Sequence, residues 1–269
     1  MIGKELALDA SGWRRWLYAI AGTMDIDEII WYWHYSRYFF PYLNPTKSIK
    51  ILDAGCGKGL WSFYLARHFP KSQILGIDAQ AQSIVHCRDV KCAYDITNTR
   101  YQVMSFQDLN YSNEFDVVLS LFSLHYSYEN DKEILGNFAR ALRPNGCLML
   151  AVPYALPLER RCTEKQTPSS GKTIKYGKLI DLGEYTEHYY PEEIAAKLKK
   201  SGFENIEIRE CVGKLGQLAK RIYANSQNHL PLQVATWPLA LLLGWLDYKV
   251  SIRKNMVLLV RAQKALTNG

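Results

Sequence analysis

The stretch IKILDAGCGKG, from Ile49 to Gly59, combines a short apolar strand with three closely spaced glycines. Glycines at positions 55, 57 and 59 let the backbone turn sharply and approach a ligand closely. Asp53, two residues before the first glycine, can accept hydrogen bonds beside this loop. An apolar-periodic helix follows from residue 60 to residue 69. Strand, acidic residue, glycine loop and helix together predict a ligand-binding turn in an α/β fold.

Strands and helices alternate outward from this loop. The sequence predicts strands over residues 49–54, 73–78, 100–104, 114–120, 146–152, 203–210 and 256–262, and helices over 60–69, 80–90, 131–142 and 191–200. A turn is predicted at Arg143 to Gly146. This alternation indicates a Rossmann-like, seven-stranded, mostly parallel sheet with helices on both faces.

We divide the chain into an N-terminal helical cap, residues 1–48, and a main α/β domain, residues 49–269. Within the main domain, residues 153–187 are predicted to form a lid loop, and residues 212–255 an insertion before the last strand. The apolar stretch from Leu230 to Leu246 contains Pro231, Gln233 and Pro238. We expect it to be buried or to contact a membrane peripherally, because a spanning helix needs about 20 apolar residues.

Composition is that of a globular protein: of 269 residues, 48% are hydrophobic and 22% charged. The net charge of +7 could favour an anionic partner, but the basic residues are scattered along the chain. The six cysteines form no CxxC pair or metal-ligand spacing. Together with an N-terminus that lacks a secretory pattern, this predicts a cytoplasmic protein without a bound metal.

Two further polar positions follow predicted strands. Asp78 ends the second strand, where a carboxylate can accept hydrogen bonds from both hydroxyls of a ribose. The fourth strand ends in a polar and aromatic cluster that includes His125 and Tyr126. In a parallel sheet, ligands bind at the carboxyl ends of the strands. We therefore expect a nucleoside near Asp78 and chemistry near His125.

The segments LDAGCGKG, GIDA, SFQDL, FDVVLSLFSLHY and LRPNGCLML, in this order and spacing, resemble the class I S-adenosylmethionine (SAM)-dependent methyltransferases. The resemblance covers residues 49–152 closely and 185–262 more loosely. It implies SAM as the cofactor and methyl transfer as the activity. The residues that it assigns to SAM are Asp53, Gly55, Cys56 and Gly57 (methionine part), Asp78 and Ala79 (ribose), Phe106 and Gln107 (adenine), and Ser120 and Leu121 (backbone carbonyls near the amino group).

The loop also departs from the dinucleotide fingerprint GxGxxG, because Leu60 stands at its last position. An acidic residue beside the loop suits the cationic sulfonium of SAM better than an anionic diphosphate. Many family members carry an aspartate where Ser105 stands, so the adenine contact departs from the family pattern here. The segment from His188 to Ile194 is similar to methyltransferases of surface-glycan or lipid pathways.

For the acceptor site we expect His125, Tyr126 and His188 as catalytic candidates, with Tyr32, Tyr35 and Tyr189 lining the pocket. The alternative for Tyr32 and Tyr35 is packing in the core. The acceptor is expected to be a small molecule, a sugar or a lipid-like compound, methylated on oxygen or nitrogen. Residues 120–123 lack the (Asp/Asn)-Pro-Pro-aromatic run of nucleobase amino-methyltransferases and a nucleophilic cysteine.

Three other functions stay open at this point. An RNA methyltransferase is favoured by the positive charge, although the basic and aromatic residues are not interleaved as in nucleic-acid platforms. A protein of this fold could also bind SAM without catalysing a reaction. A nicotinamide-dependent oxidoreductase shares the ribose-binding carboxylate but is disfavoured by Leu60.

Overall fold

The computed structural model describes residues 26–154, 188–226, 230–250 and 256–266. Its centre is one seven-stranded sheet. The strands are β1 (Lys50–Ala54), β2 (Gln73–Asp78), β3 (Thr99–Val103), β4 (Phe115–Leu121), β5 (Leu142–Pro153), β6 (Phe203–Cys211) and β7 (Val257–Lys264). Apolar, often β-branched residues dominate β1 and β4, and these central strands are buried almost throughout, as parallel strands covered on both faces should be.

The strand order is β3-β2-β1-β4-β5-β7-β6. Strands β1 to β5 pair in parallel, whereas β7 runs antiparallel to both β5 and β6. The predicted seven-stranded, mostly parallel sheet is therefore confirmed. Because β1, β2 and β4 are parallel neighbours, their carboxyl ends meet at one edge of the sheet. The glycine loop, Asp78 and the His125 cluster all follow these ends.

Helices cover both faces of the sheet, as predicted. One face carries α1 (Ile26–Tyr38), α2 (Leu60–His68), α3 (Ala81–Ala93), α6 (Lys214–Ser226) and α7 (Leu230–Val250). The other carries α4 (Asp131–Ala141) and α5 (Pro191–Lys200). Alternate residues of each strand point to the two cores; for example, Ile51 faces the α2 side and Leu52 the α4 side.

The start of β5 differs from the sequence prediction. The turn predicted at Arg143 to Gly146 lies inside the strand, which begins at Leu142. Phe115 pairs with Leu142 and Val117 pairs with Cys147, so the register shifts between the two pairs. Asn145 takes a left-handed conformation, with φ of 62°. The turn residues thus form an irregularity within the strand rather than a loop before it.

The predicted cap and insertion meet on one side of the molecule. Helix α1 packs against α6 and α7, which are formed by the segment between β6 and β7. Residues 1–25 of the predicted cap and residues 155–187 of the predicted lid lie outside the described residues. Helix α7 contains the whole apolar stretch from Leu230 to Leu246, and Pro238 lies inside the helix. No described helix is long and apolar enough to cross a membrane.

Candidate functional site

The glycine loop follows β1 and lies over the end of β2. The N–H groups of Gly55 and Cys56 both donate to the carbonyl oxygen of Ile77, at 2.8 and 3.0 Å. Gly55, Gly57 and Gly59 have φ values of 79°, 52° and 83°. Residues with a side chain rarely adopt this left-handed conformation. The three glycines therefore allow the turn that joins β1 to α2.

Asp78 links the loop to the second strand. Its Oδ2 accepts a hydrogen bond from the N–H of Gly57 at 2.9 Å, and its Oδ1 accepts one from the N–H of Gln80 at 2.9 Å. Each carboxylate oxygen still has a free lone pair, because each can accept two hydrogen bonds. Asp78 is half-buried, and the adjacent Ala79 is exposed. The structure therefore places a pre-oriented carboxylate beside Gly57, where the sequence predicted one.

Ser123 is a residue of this site that the sequence analysis missed. It is buried below the glycine loop, donates to the carbonyl oxygen of Ala54 at 2.9 Å, and shares a hydrogen bond of 2.7 Å with Ser120. A Cβ on Gly55 would lie 2.3 Å from Ser123 Cβ and 3.1 Å from the ring of Phe106. The loop, the end of β4 and Phe106 are thus brought together. The Ser120–Ser123 spacing after a buried strand is the signal that could have found it.

Asp53 lies beneath the loop rather than beside an open space. Its carboxylate is almost fully buried and accepts a hydrogen bond of 2.6 Å from Ser62 on α2. Burial, opposed by the Ser62 hydrogen bond and assisted by the nearby Asp78 carboxylate, raises the pKa of Asp53 to about 6. Asp53 therefore joins the loop to α2 from below.

The segment after β3 holds the residues that the family resemblance assigns to adenine. The Phe106 ring packs edge-to-face on Phe138, with centroids 5.6 Å apart. Asn137 on α4 donates to the carbonyl oxygen of Phe106 at 3.0 Å, while the Gln107 side chain is exposed. Ser105, where many family members carry an aspartate, donates a hydrogen bond of 2.6 Å to the carboxylate of Asp108. Phe106 is thus held firmly, and Gln107 is left accessible.

His125 stands in a short 3-10 helix after β4, Leu124–Asn130. It is almost fully buried, and neither ring nitrogen has a hydrogen-bond partner among the described residues. Burial, with a smaller contribution from His188, lowers the pKa of His125 to about 4. His188 is therefore near His125, while Tyr126 is half-exposed and its ring lies 4.3 Å from that of His125. A neutral buried imidazole without partners is unusual and marks a candidate reactive position.

Aromatic side chains from α1 extend over the end of β4. The Trp31 ring contacts Phe122 edge-on, with centroids 4.6 Å apart, and Lys220 from α6 lies over Trp31 at 4.9 Å. Phe122 has a φ of 53°, a strained conformation for a bulky residue. Strain of this kind is concentrated at functional sites. Trp31 and Phe122 were not among the predicted site residues.

The three predicted pocket tyrosines are placed differently from one another. Tyr35 is fully buried, between Trp31 and Phe39. Tyr189 is also fully buried, and its hydroxyl donates to Asp131 at 3.2 Å. Tyr32 is half-buried and packs edge-on against Tyr64. The structure thus places Tyr35 and Tyr189 in the core. Core packing was the alternative considered for Tyr35, whereas Tyr189 was expected only in the pocket.

The loop geometry fits a cofactor that lies directly on the backbone. A Cβ added to Gly57 would meet no atom within 4 Å, so the space above this residue is open although the loop around it is tightly packed. The Asp78 carboxylate is next to that space. No group of three or more histidine, cysteine or acidic side chains in the described part of the chain could hold a metal ion.

Comparison with known proteins agrees with this geometry. Residues 51–146 match a family model described as a methyltransferase domain. A fatty-acid O-methyltransferase of Mycolicibacterium smegmatis is 34% identical over 98 residues, 36% of this chain and 34% of that protein. A tRNA U34 carboxymethyltransferase of Pseudoalteromonas translucida is 25% identical over 201 residues, 74% of this chain and 58% of that protein. The chain thus spans less than two thirds of the length of these relatives.

Among solved structures, phosphoethanolamine N-methyltransferase 2 of Haemonchus contortus in complex with SAM has a similar fold. The TM-score is 0.59 at 16% identity, over 87% of this chain and 52% of that one. The sheet order, the glycine loop and the family match together identify a class I SAM-dependent methyltransferase domain in this chain. SAM is the cofactor of this class of domain.

Proposed function

We propose that the chain transfers a methyl group from SAM to an oxygen or nitrogen of a small-molecule, sugar or lipid-like acceptor. The observation that carries the proposal is the meeting of two features at one edge of the sheet. One is the open, left-handed backbone at Gly57 beside Asp78. The other is the buried imidazole of His125, just after the neighbouring strand β4, which has no hydrogen-bond partner among the described residues.

Bound SAM supplies an activated methyl group on a sulfonium. We assign its ribose hydroxyls to the free lone pairs of Asp78, and its methionine part to the backbone at Gly55, Cys56 and Gly57. Phe106 and the exposed Gln107 would border the adenine. These assignments use groups that are already oriented by the protein, which lowers the entropy cost of binding.

On the acceptor side, His125 is the residue that we assign to the reacting group. Its low pKa keeps the imidazole neutral near pH 7, so the ring nitrogen that carries no proton can accept the proton of a hydroxyl acceptor. A low pKa makes His125 a weak base. A weak base is sufficient here, because an oxygen that has gained a methyl group while retaining its proton is far more acidic than an imidazolium. Alignment of acceptor and methyl would supply much of the rate.

The surroundings of His125 favour an acceptor with an apolar part. Phe122 lies edge-on to its ring, Trp31 packs on Phe122, and Tyr126 is half-exposed. The fatty-acid O-methyltransferase relative supports an acceptor of this kind. We also propose a cytoplasmic location, because the cysteines in the described part of the chain are all free.

The test is a radiolabel assay with methyl-labelled SAM and a panel of small acceptors that includes fatty acids, phenols and sugars. We expect transfer to a small acceptor, and a loss of kcat at saturating SAM in His125→Ala and His188→Ala. If both variants keep full turnover, neither residue is the base. SAM binding without transfer to any acceptor would favour a non-catalytic binding protein.

An RNA acceptor is the second candidate, supported by the net charge of +7 and by the tRNA-modifying relative. It predicts RNA binding whose log affinity falls steeply with log salt concentration, because counterions are released from phosphates. Binding that does not change between low and high salt would contradict it.

A further inference from the structure

The outward face of α7 is apolar along its length. Leu232, Leu239, Leu242 and Trp245 are 47%, 50%, 51% and 44% exposed. With 3.6 residues per turn, these positions fall on one stripe of the helix. Ala240, Gly244 and Asp247 occupy the opposite side and are buried. The helix is thus apolar on both sides, because Trp237, Leu241 and Leu243 pack against the core while the leucines of the outward face are left exposed.

Specific contacts fix α7 in this rotation. Asp247 Oδ2 accepts a hydrogen bond of 2.9 Å from the N–H of Gly213, at the start of α6. A Cβ on Gly216 would lie 2.8 Å from the same carboxylate, and a Cβ on Gly244 would lie 2.9 Å from Ile30 of α1. Because both glycines allow close approach, α7 cannot turn its apolar stripe inward without breaking this packing.

Basic residues accompany the stripe. Helix α6, which packs along α7, exposes Lys214, Leu218 and Arg221. At the end of α7, Lys249 lies over the rings of Trp245 and Tyr248, at 5.8 and 5.6 Å. The single acidic residue of these two helices is Asp247, which is buried. The surface formed by α6 and α7 is therefore both apolar and positively charged.

We propose that the outer face of α7 binds to a membrane surface that contains anionic lipids, with the helix lying in the plane of the surface. Leucine side chains would enter the boundary between headgroups and acyl chains, where tryptophan is also favoured. Lys214, Arg221 and Lys249 would be attracted to the anionic headgroups. A second copy of the chain fits this face less well, because two basic surfaces would be brought together. The proposal does not depend on methyl transfer.

The experiment is cosedimentation of the full chain with vesicles of phosphatidylcholine, with and without phosphatidylserine. We expect binding to the phosphatidylserine vesicles that weakens with added salt. The double variant Leu239→Glu/Leu242→Glu should reduce the partition coefficient by about tenfold or more, because charges replace the inserted groups. Val85→Glu is the matched control, since Val85 is 50% exposed on α3, and it should bind as the wild type does.

Circular dichroism of both variants establishes that they are folded. The proposal is overturned if the wild type binds neither kind of vesicle, or if the double variant binds as well as the wild type. It is also overturned if sedimentation velocity shows a dimer that the double variant converts to monomer, since the face would then be covered by a second copy.

Discussion

Two glycines in one loop allow a direct test of the cofactor site. Gly55 and Gly57 both have left-handed backbones, so an alanine at either position pays a conformational cost of roughly 1–2 kcal/mol. They differ in what a Cβ would meet. At Gly57 it meets nothing within 4 Å, whereas at Gly55 it lies 2.3 Å from Ser123 Cβ.

We therefore expect Gly57→Ala to lower the free energy of unfolding by about 1 kcal/mol. Gly55→Ala must also displace Ser123, which costs roughly 1–3 kcal/mol by overpacking and weakens the hydrogen bonds of Ser123 to Ala54 and Ser120. Its total cost should be about 3–4 kcal/mol.

The assay is urea denaturation followed by circular dichroism, together with titration of SAM. Gly136→Ala is the control, because Gly136 lies inside α4 with a free space at its Cβ, and alanine there should stabilise by up to about 1 kcal/mol. Gly57→Ala should remain folded yet lose SAM affinity by about tenfold or more, since its methyl group occupies the space assigned to the cofactor. Equal destabilisation by the two loop variants, or wild-type SAM affinity in Gly57→Ala, would refute this account of the loop.

Three further predictions concern buried polar groups. Burial lowers the pKa of His125 to about 4 in the folded protein, whereas the unfolded chain binds a proton at this histidine below about pH 6.5. The free energy of unfolding should therefore fall as the pH falls from about 6.5 to about 4. Chemical denaturation should show that His125→Gln loses about 2 kcal/mol less stability than the wild type between about pH 7 and about pH 5; the same loss in both proteins would contradict the assigned burial. Tyr189→Phe should cost about 1 kcal/mol of stability and leave kcat unchanged. Asp131→Ala removes both the acceptor of the Tyr189 hydroxyl and one of the two carboxylates paired with Lys197, the other being Glu193, and should cost about 2 kcal/mol. A large fall in kcat in Tyr189→Phe would indicate that Tyr189 contacts the acceptor. Asp247→Ala should cost about 1–2 kcal/mol, because the start of α6 loses its side-chain cap, and hydrogen exchange at Gly213 should increase; unaltered exchange there would argue against the cap.

The central strands and the glycine loop could be predicted because their signals are local. A buried strand, an acidic residue and glycines at fixed spacing lie within a few positions of one another, from Leu52 to Gly59. Asp78 was found for the same reason, as the polar end of a short apolar strand. In the structure its carboxylate accepts a hydrogen bond from the N–H of Gly57.

Contacts between distant segments could not be predicted in the same way. The core positions of Tyr35 and Tyr189 depend on which layers meet around them, and the role of Ser123 depends on Gly55 approaching from 68 positions earlier in the chain. The orientation of α7 is set by the hydrogen bond from the N–H of Gly213 to the Asp247 carboxylate and by the close approach of Gly244 to Ile30. An apolar helix with no clear periodicity gives no sequence signal for which side faces outward.

The measurement that tests the central claim most directly is isothermal titration of the purified protein with SAM and with NADH, for the wild type, Asp78→Ala and the exposed control Asp89→Ala. The account predicts micromolar SAM binding in the wild type and in Asp89→Ala, loss of that binding in Asp78→Ala, and no binding of NADH. Absence of SAM binding in the wild type, or a preference for NADH, would contradict it.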